Sequence, residues 1–352
     1  MKMTMRWFGD GDSVPLEYIA QVPCVRGIVG TLEGMPADQV WTVETLLAYK
    51  SKVEASGLSL DVIESIPVPE AIKLGLPERD YLIEIYCESV RNMGRAGIPV
   101  LCYNFMPILD WMRTDMNYVL PDQSVVTAYN HEAMQIYDLS LGLETRVAWA
   151  KGYSGDELKA ALKQYEAIDD NALFDNLAYF LRRVVPVAEE AGVLMALHPD
   201  DPPWTILGLP HIVRDAATIQ RILDITESRN NGLTFCTGSL GVWEANDLCA
   251  MVRQFASRIH FVHLRNVRRT GKQDFYEVAH PSENGDVDMA GVIRTLIDIG
   301  YSGPIRPDHG RRIWNENVPR TGYGLYDRAL GGMYLYGLWQ GIEAERRTHE
   351  QK

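Results

Sequence analysis

Eight short apolar runs, separated by longer amphipathic stretches, divide this chain of 352 residues almost from end to end. They are MTMRWFG (3–9), CVRGIVG (24–30), SLDVIES (59–65), PVLCYNF (99–105), VLMALH (193–198), LTFC (233–236), HFVHL (260–264) and PIRPD (304–308). Runs this short, with little polar alternation, read as strands of a parallel sheet buried on both faces. Between them, TVETLLAYKSKVEASG (42–57), RDYLIEIYCESVRNMGRAG (79–97) and ALFDNLAYFLRRVVPVAEEAG (172–192) carry helical spacing, and Gly192 stands as a C-terminal cap. DMAGVIRTLIDIG (288–300) repeats the plan, with Asp288 as N-cap and Gly300 as terminator. Eight β/α units predict an α/β protein, a closed (β/α)8 TIM barrel with its active site at the carboxyl ends of the strands. A doubly wound open sheet is the runner-up, but the first βα turn lacks GxGxxG.

The barrel is expected to span 1–352 as a single domain. One connection is too long. Residues 106–171, after the fourth strand, are read as a helical, polar insertion that covers the active end as a lid. Residues 324–352 are read as a C-terminal helical segment with an apolar face, which packs on the barrel or on another subunit. A homo-oligomer therefore stays open.

The formal net charge of −13 argues against nucleic acid as a partner, since phosphate backbones select clustered Lys and Arg. A small anionic substrate stays possible, because it responds to charge inside a cleft. No apolar stretch approaches the roughly 20 residues that span a bilayer, so no membrane partner is expected. The opening MKMTMRWFGDGD has no apolar signal region, and the five cysteines are odd in number and lack CxxC spacing. The expectation is a cytoplasmic protein.

Four of the strand runs end in a residue able to bind a metal: His198, Cys236, His263 and Asp308. Any one of these alone is commonly structural: a satisfied histidine, a small core cysteine, a capping aspartate. Four on successive strands of one barrel converge at its mouth. Two neutral imidazoles, a thiolate and a carboxylate together balance a divalent cation. Strand parity sharpens the choice, because side chains alternate faces. His260 and His263 are three apart, so if His263 points inward His260 points to the helices. Arg306 shares a face with Asp308, Ala196 with His198, and Thr234 with Cys236.

The other histidines have weaker claims. His131 and His211 lie in loop or lid segments, and His280 is read as part of a solvated loop. His309 directly follows Asp308, where an acid/base or ligand-orienting group belongs. Arg265, Arg306, Arg311 and Arg312 cluster around the same strand ends. Arginine there suits capture of a carboxylate, although pairing with acidic side chains is the structural alternative for each. Tyr323, between two glycines, is read as exposed and mobile.

At this level the residues resemble a known family. CYNFMPILDWMRTD (102–115), ALHPDDPP (196–203), FCTGSLG (235–241), HFVHLRN (260–266), DFYEVAHPSENGDVDM (274–289) and RPDHGR (306–311) are together similar to the mannonate dehydratases. The resemblance runs from MRWFGDGD to GYGLYDRALGG. It implies a xylose-isomerase-like TIM barrel that converts D-mannonate to 2-keto-3-deoxy-D-gluconate and water in hexuronate catabolism. It also implies Mn2+, or alternatively Fe2+, on His198, Cys236, His263 and Asp308, with acid/base roles on His309 and Tyr323. A thiolate ligand by its softness favours Zn2+ or Fe2+ over Mn2+, in tension with that implication. Which of His309 and Tyr323 is acid and which is base stays open. Arg306, Arg311, Arg265 and Asn104 are the candidates for binding the sugar acid. Two rivals are a metal-dependent sugar isomerase or epimerase on the same barrel, and a non-enzymatic sugar-acid-binding barrel.

Overall fold

The computed structural model describes residues 1–136 and 155–350. All eight expected strands form, and they close on one another. In chain order the strands are β1 (Lys2–Arg6), β2 (Gly27–Gly30), β3 (Ser59–Glu64), β4 (Val100–Tyr103), β5 (Asp115–Val119), β6 (Val125–Tyr129), β7 (Leu194–Leu197), β8 (Asn231–Cys236), β9 (Ile259–His263), β10 (Asn266–Arg269), β11 (Phe275–Val278) and β12 (Pro304–Arg306). The barrel runs β1-β2-β3-β4-β7-β8-β9-β12, all parallel, with β12 returning to β1 through Lys2↔Pro304. Alternate residues point inward and pack a central layer of Val29, Val62, Val100, Cys102, Ala196 and Phe261. This layer is the floor of the site, since His198, Cys236 and His263 lie one step further along the same inward rows.

Outside, the helix Arg79–Arg95 packs against Asp170–Ala191, which buries Leu173, Leu177, Phe180, Leu181 and Val184 on one stripe. Burying each such side chain is worth about 1.5–3 kcal/mol. The ends follow local chemistry. Asp169 accepts from the Ala172 amide, Asp288 from the Gly291 amide, and Gly192 takes the left-handed conformation expected of a cap. No helix among the described residues is long and apolar enough to cross a membrane.

The insertion departs from its expected helical character. It holds the helices His131–Gln135 and Gly155–Gln164, but also the hairpin β5–β6. That hairpin joins β10 and β11 in a second, antiparallel sheet of order β10-β11-β6-β5. The cause is local: VVTAY is rich in β-branched residues, and Pro121–Ser124 turns the chain, with Asp122 accepting from the Ser124 amide at 3.0 Å. Its partner, FYEV, lies about 150 residues later, so the pairing is invisible to local periodicity. Residues 137–154 of the insertion lie outside the described residues.

The C-terminal segment is one helix, Leu325–Glu350, that buries Leu335, Trp339 and Ile342. Arg294–Glu345 at 3.1 Å holds it to the helix Met289–Asp298.

Candidate active site and metal centre

The strand-end residues converge. A ring nitrogen of His198, a ring nitrogen of His263 and the Cys236 sulfur all lie within 4.8 Å of one another. Asp308 completes the group, with Oδ2 3.7 Å from Cys236 Sγ and Oδ1 3.9 Å from His263 Nδ1. Its backbone is left-handed (φ 56°), an unusual state for a non-glycine residue that costs roughly 1–3 kcal/mol. Parity also holds for the excluded histidine: His260 faces outward and donates from Nε2 to the Arg229 carbonyl at 2.7 Å.

The donor chemistry fits a divalent cation. His198 Nδ1 donates to the Pro199 carbonyl at 2.6 Å, which leaves Nε2 as the nitrogen aimed at the cluster. Burial would lower that imidazole, but Cys236 outweighs it and raises His198 to about 9. A cation held by the cluster would require that nitrogen deprotonated. Burial, with Arg306 adding to it, keeps His263 well below its ordinary range and therefore neutral. Its Nε2 is buried with no hydrogen-bond partner among the described residues, as is Glu64 Oε2 nearby. Burial alone would raise the Cys236 thiol; Arg265 and His198 reverse this and lower it. The sulfur also accepts from the Ser239 amide at 3.4 Å and the Ser239 hydroxyl at 3.1 Å. Such surroundings favour thiolate.

Beneath and beside the cluster lies a buried network of opposite charges. Arg265 pairs with Asp201 at 2.6 Å, Glu277 at 2.5 Å and Asp308 at 3.1 Å. Arg113, fully buried, pairs with Asp201 at 2.8 Å and Glu277 at 2.9 Å. Arg306 pairs with Asp308 at 2.8 Å and Glu64 at 3.1 Å. Burial acts to raise Asp201, Glu277 and Asp308, but the cations around them win and hold all three carboxyls low. Buried charges paired this fully resist removal of either partner.

His309 and Tyr323 meet on the other side of Asp308. His309 Nε2 lies 3.0 Å from the Tyr323 hydroxyl, and its Nδ1 lies 2.9 Å from Glu277 Oε1. The Trp111 ring meets the imidazole edge-on at 4.9 Å. Tyr323 is not the exposed, mobile residue that its flanking glycines suggest. It is 5% exposed, packs edge-on against Phe8 at 4.9 Å, and its carbonyl accepts from buried Arg328 at 2.7 Å. Arg328 also donates to the Arg6 carbonyl at 2.9 Å, which ties this loop to β1. Gly322 turns left-handed (φ 89°), where a Cβ would stand 3.3 Å from His309 Cγ, so a side chain there would be strained.

A cavity of about 670 Å3 opens over these groups, within the range of small-ligand sites. Arg6, Glu64, Lys73, Asn104, Asp110 and Trp111 help to line it. Of the arginines expected to bind substrate, Arg265 and Arg306 reach the cavity. Arg311 does not. It is held by Asp327 at 2.9 Å and Asp122 at 3.0 Å and is not among the lining residues, so the structural alternative prevails there. Arg312 is spent on Asn117 at 3.2 Å. Asn104 lines the cavity and bonds Asp110, whose carboxyl burial raises even beside Lys73. His280 is no solvated loop residue: it is 2% exposed and donates to the Pro307 carbonyl at 2.5 Å.

Sequence reasoning missed Glu64, Lys73, Asp110, Arg113, Asp201 and Glu277. One signal was available: Glu277 shares a strand face with Phe275, and a carboxylate on an apolar face needs a partner.

The D-mannonate dehydratase (UxuA) family profile matches residues 1–349. The chain belongs to the D-mannonate dehydratase family. Mannonate dehydratase 2 of Halalkalibacterium halodurans is 47% identical over 346 residues, covering 98% of this chain and all of that protein. A crystal structure of mannonate dehydratase from Streptococcus suis serotype 2 superposes with a TM-score of 0.92 at 44% identity, covering 98% and 96% of the two chains. A xylose isomerase domain protein from Planctomyces limnophilus, at TM-score 0.55 and 15% identity, shares the barrel alone. The fold is thus the xylose-isomerase-like barrel, and the mannonate dehydratase likeness extends over its whole length.

Proposed function

We propose that this protein dehydrates D-mannonate to 2-keto-3-deoxy-D-gluconate, with His309 and Tyr323 as its proton-transfer pair beside a metal centre. The observation that carries the reading is the placement of the pair. Both side chains line the same cavity as His198 and Asp308, and they touch each other at 3.0 Å. The reaction removes a proton from C2 and hydroxide from C3, and one group must serve each carbon. Burial pushes the Tyr323 phenol up to about 12, so it holds its proton at neutral pH. Tyr323 is therefore the donor, which protonates the leaving C3 hydroxyl so that it departs as water. His309 Nε2, which accepts from the Tyr323 hydroxyl until that hydroxyl turns to the leaving group, then takes the C2 proton. The hydrogen bond between them then returns a proton from imidazolium to phenolate and resets both. The released enol gains a proton at C3 from solvent as its C2 hydroxyl becomes the ketone.

His198, Cys236, His263 and Asp308 would hold a divalent cation, Mn2+ or alternatively Fe2+, which would supply Lewis acidity for charge developing on the substrate carboxylate. Arg306 and Arg265 set the positive surroundings in which that carboxylate binds, and Asn104, Lys73 and Asp110 face the hydroxyl-bearing remainder. This reading excludes Arg311 from binding. An isomerase or epimerase would interconvert sugars and release no water.

The test is direct. Protein loaded anaerobically with Mn2+ is given D-mannonate, and the 2-keto-3-deoxy product is assayed. Product is expected; turnover of a different sugar acid with none from mannonate would overturn the substrate assignment. Cys236→Ala is expected to lose bound metal, measured by elemental analysis, and full retention of metal would overturn the ligand set.

A further inference from the structure

We infer that Glu277 is a positioning residue for the proton-transfer pair: its carboxylate fixes the proton on His309 Nδ1, and so aims the Nε2 lone pair at Tyr323 and the cavity. The inference rests on the reading of His309 given above. Glu277 comes from β11, in the second sheet, where it stands opposite Val267 of β10. The sheet that grew out of the insertion and the segment after β9 thereby delivers one side chain to the barrel mouth.

The geometry decides the tautomer. Two groups compete for His309 Nδ1: Glu277 Oε1 at 2.9 Å, an acceptor, and Arg265 Nη1 at 3.2 Å, a donor. Arg265 Nη1 is itself 2.5 Å from Glu277 Oε1, so its hydrogen has a nearer and charged acceptor. Nδ1 therefore carries the hydrogen and gives it to Glu277, and Nε2 is left as acceptor for the Tyr323 hydroxyl. Glu277 cannot turn away. It is 4% exposed, and Arg113 at 2.9 Å and Arg265 at 2.5 Å both grip the oxygen that meets Nδ1. Asp201 pairs with the same two guanidiniums, but of the two carboxylates Glu277 is the one that also reaches His309 Nδ1. Carboxylate, imidazole and phenol thus form one chain of hydrogen bonds, in which the carboxylate never meets substrate.

Glu277→Gln keeps the shape but leaves only a neutral amide oxygen facing Arg113, Arg265 and Nδ1 alike, so Arg265 Nη1 is freed to donate to Nδ1 and the preference for the Nδ1–H tautomer is lost. The expected result is a fall in kcat of about 10²–10⁴-fold, with KM and bound metal little changed. In the His309→Asn background the same substitution should cost nothing further. Nitrogen-15 NMR of protein loaded with diamagnetic Zn2+ reads the tautomer without turnover. Wild type should show His309 protonated at Nδ1, assigned by its absence in His309→Asn, and Glu277→Gln should lose that pattern. If Glu277→Gln does not fold, Glu277→Asp keeps the charge for Arg113 and Arg265, withdraws from Nδ1, and takes the same measurements. A kcat within twofold of wild type, an unchanged tautomer, or an additive loss in the double variant would each overturn the inference while leaving His309 in place. Full activity of His309→Asn would overturn the parent reading and this one with it.

Discussion

Tyr323 keeps its proton because the protein encloses the phenol and leaves little water to stabilise the anion. Burial pushes it up to about 12, against the pull of Arg306 and Arg6. Tyr323→Phe removes the donor but keeps the ring that packs on Phe8 at 4.9 Å. Turnover should fall about 10²–10⁴-fold, with the thermal midpoint shifted by no more than a few degrees, as steady-state assays and thermal melts would show. Near-normal turnover would remove Tyr323 from the pair. At this scale the sequence exposed some residues and hid others for one physical reason. The four ligand candidates end or closely follow their strands, so parity alone selected His263 over His260. Asp201, Arg113 and Glu277 are joined across 88 and 164 positions of chain by side-chain contacts that no local pattern records. The same holds for Tyr323: its flanking glycines read as a mobile turn, but Phe8 and Arg328 enclose it. Arg311 had the right neighbourhood in sequence and the wrong direction in space, toward Asp327.

The elements were more legible than the contacts between them. All eight barrel strands stood out because strands buried on both faces are apolar throughout, and helices packed on one stripe repeat every three or four residues. The hairpin β5–β6 was hidden because its pairing partner β11 belongs to a distant stretch, and short polar strands look like loops until paired. Helix against helix, the detail lies in a close approach. Gly94, near the end of Arg79–Arg95, sits where a Cβ would stand 2.3 Å from the Ala191 carbonyl oxygen and 2.9 Å from its Cβ. Gly94→Ala gains about 1 kcal/mol of helix propensity, but forcing the two helices apart costs about 1–3 kcal/mol. The second effect acts on backbone that cannot move aside cheaply, so it should win. The thermal midpoint should drop by several degrees, whereas Ser51→Ala, on the exposed face of the helix Val43–Ala55, should not lower it. A Gly94→Ala protein as stable as the parent would mean that the helices separate without cost.

For the whole molecule, the same parity that aims His263 into the site buries His260 under the barrel wall, and this ties stability to pH. Burial is the main cause that lowers His260 to about 4; Arg258 and Arg229 add to it, while its bond to the Arg229 carbonyl opposes. An unfolded chain protonates this imidazole near its ordinary 6.5. Between these two values the unfolded state binds a proton that the folded state refuses, so unfolding gains ground as pH falls. The stabilisation is thus complete above about pH 6.5 and is lost as pH falls toward 4, by about 3 kcal/mol at most. Asp201, held low by Arg113 and Arg265, and Glu277 and Asp308, held low by His309 first and then by their arginines, keep their contributions through that window, because they surrender them only as pH falls further. The two groups of residues therefore separate along the pH axis. His260→Gln keeps an N–H for the Arg229 carbonyl but cannot take up a proton. Thermal midpoints measured at pH 7.5, 6, 5 and 4.5 should fall in the wild type and fall less steeply in His260→Gln, with the gap widening downward from about pH 6.5. Parallel curves for the two proteins would mean that some other group carries the acid limb.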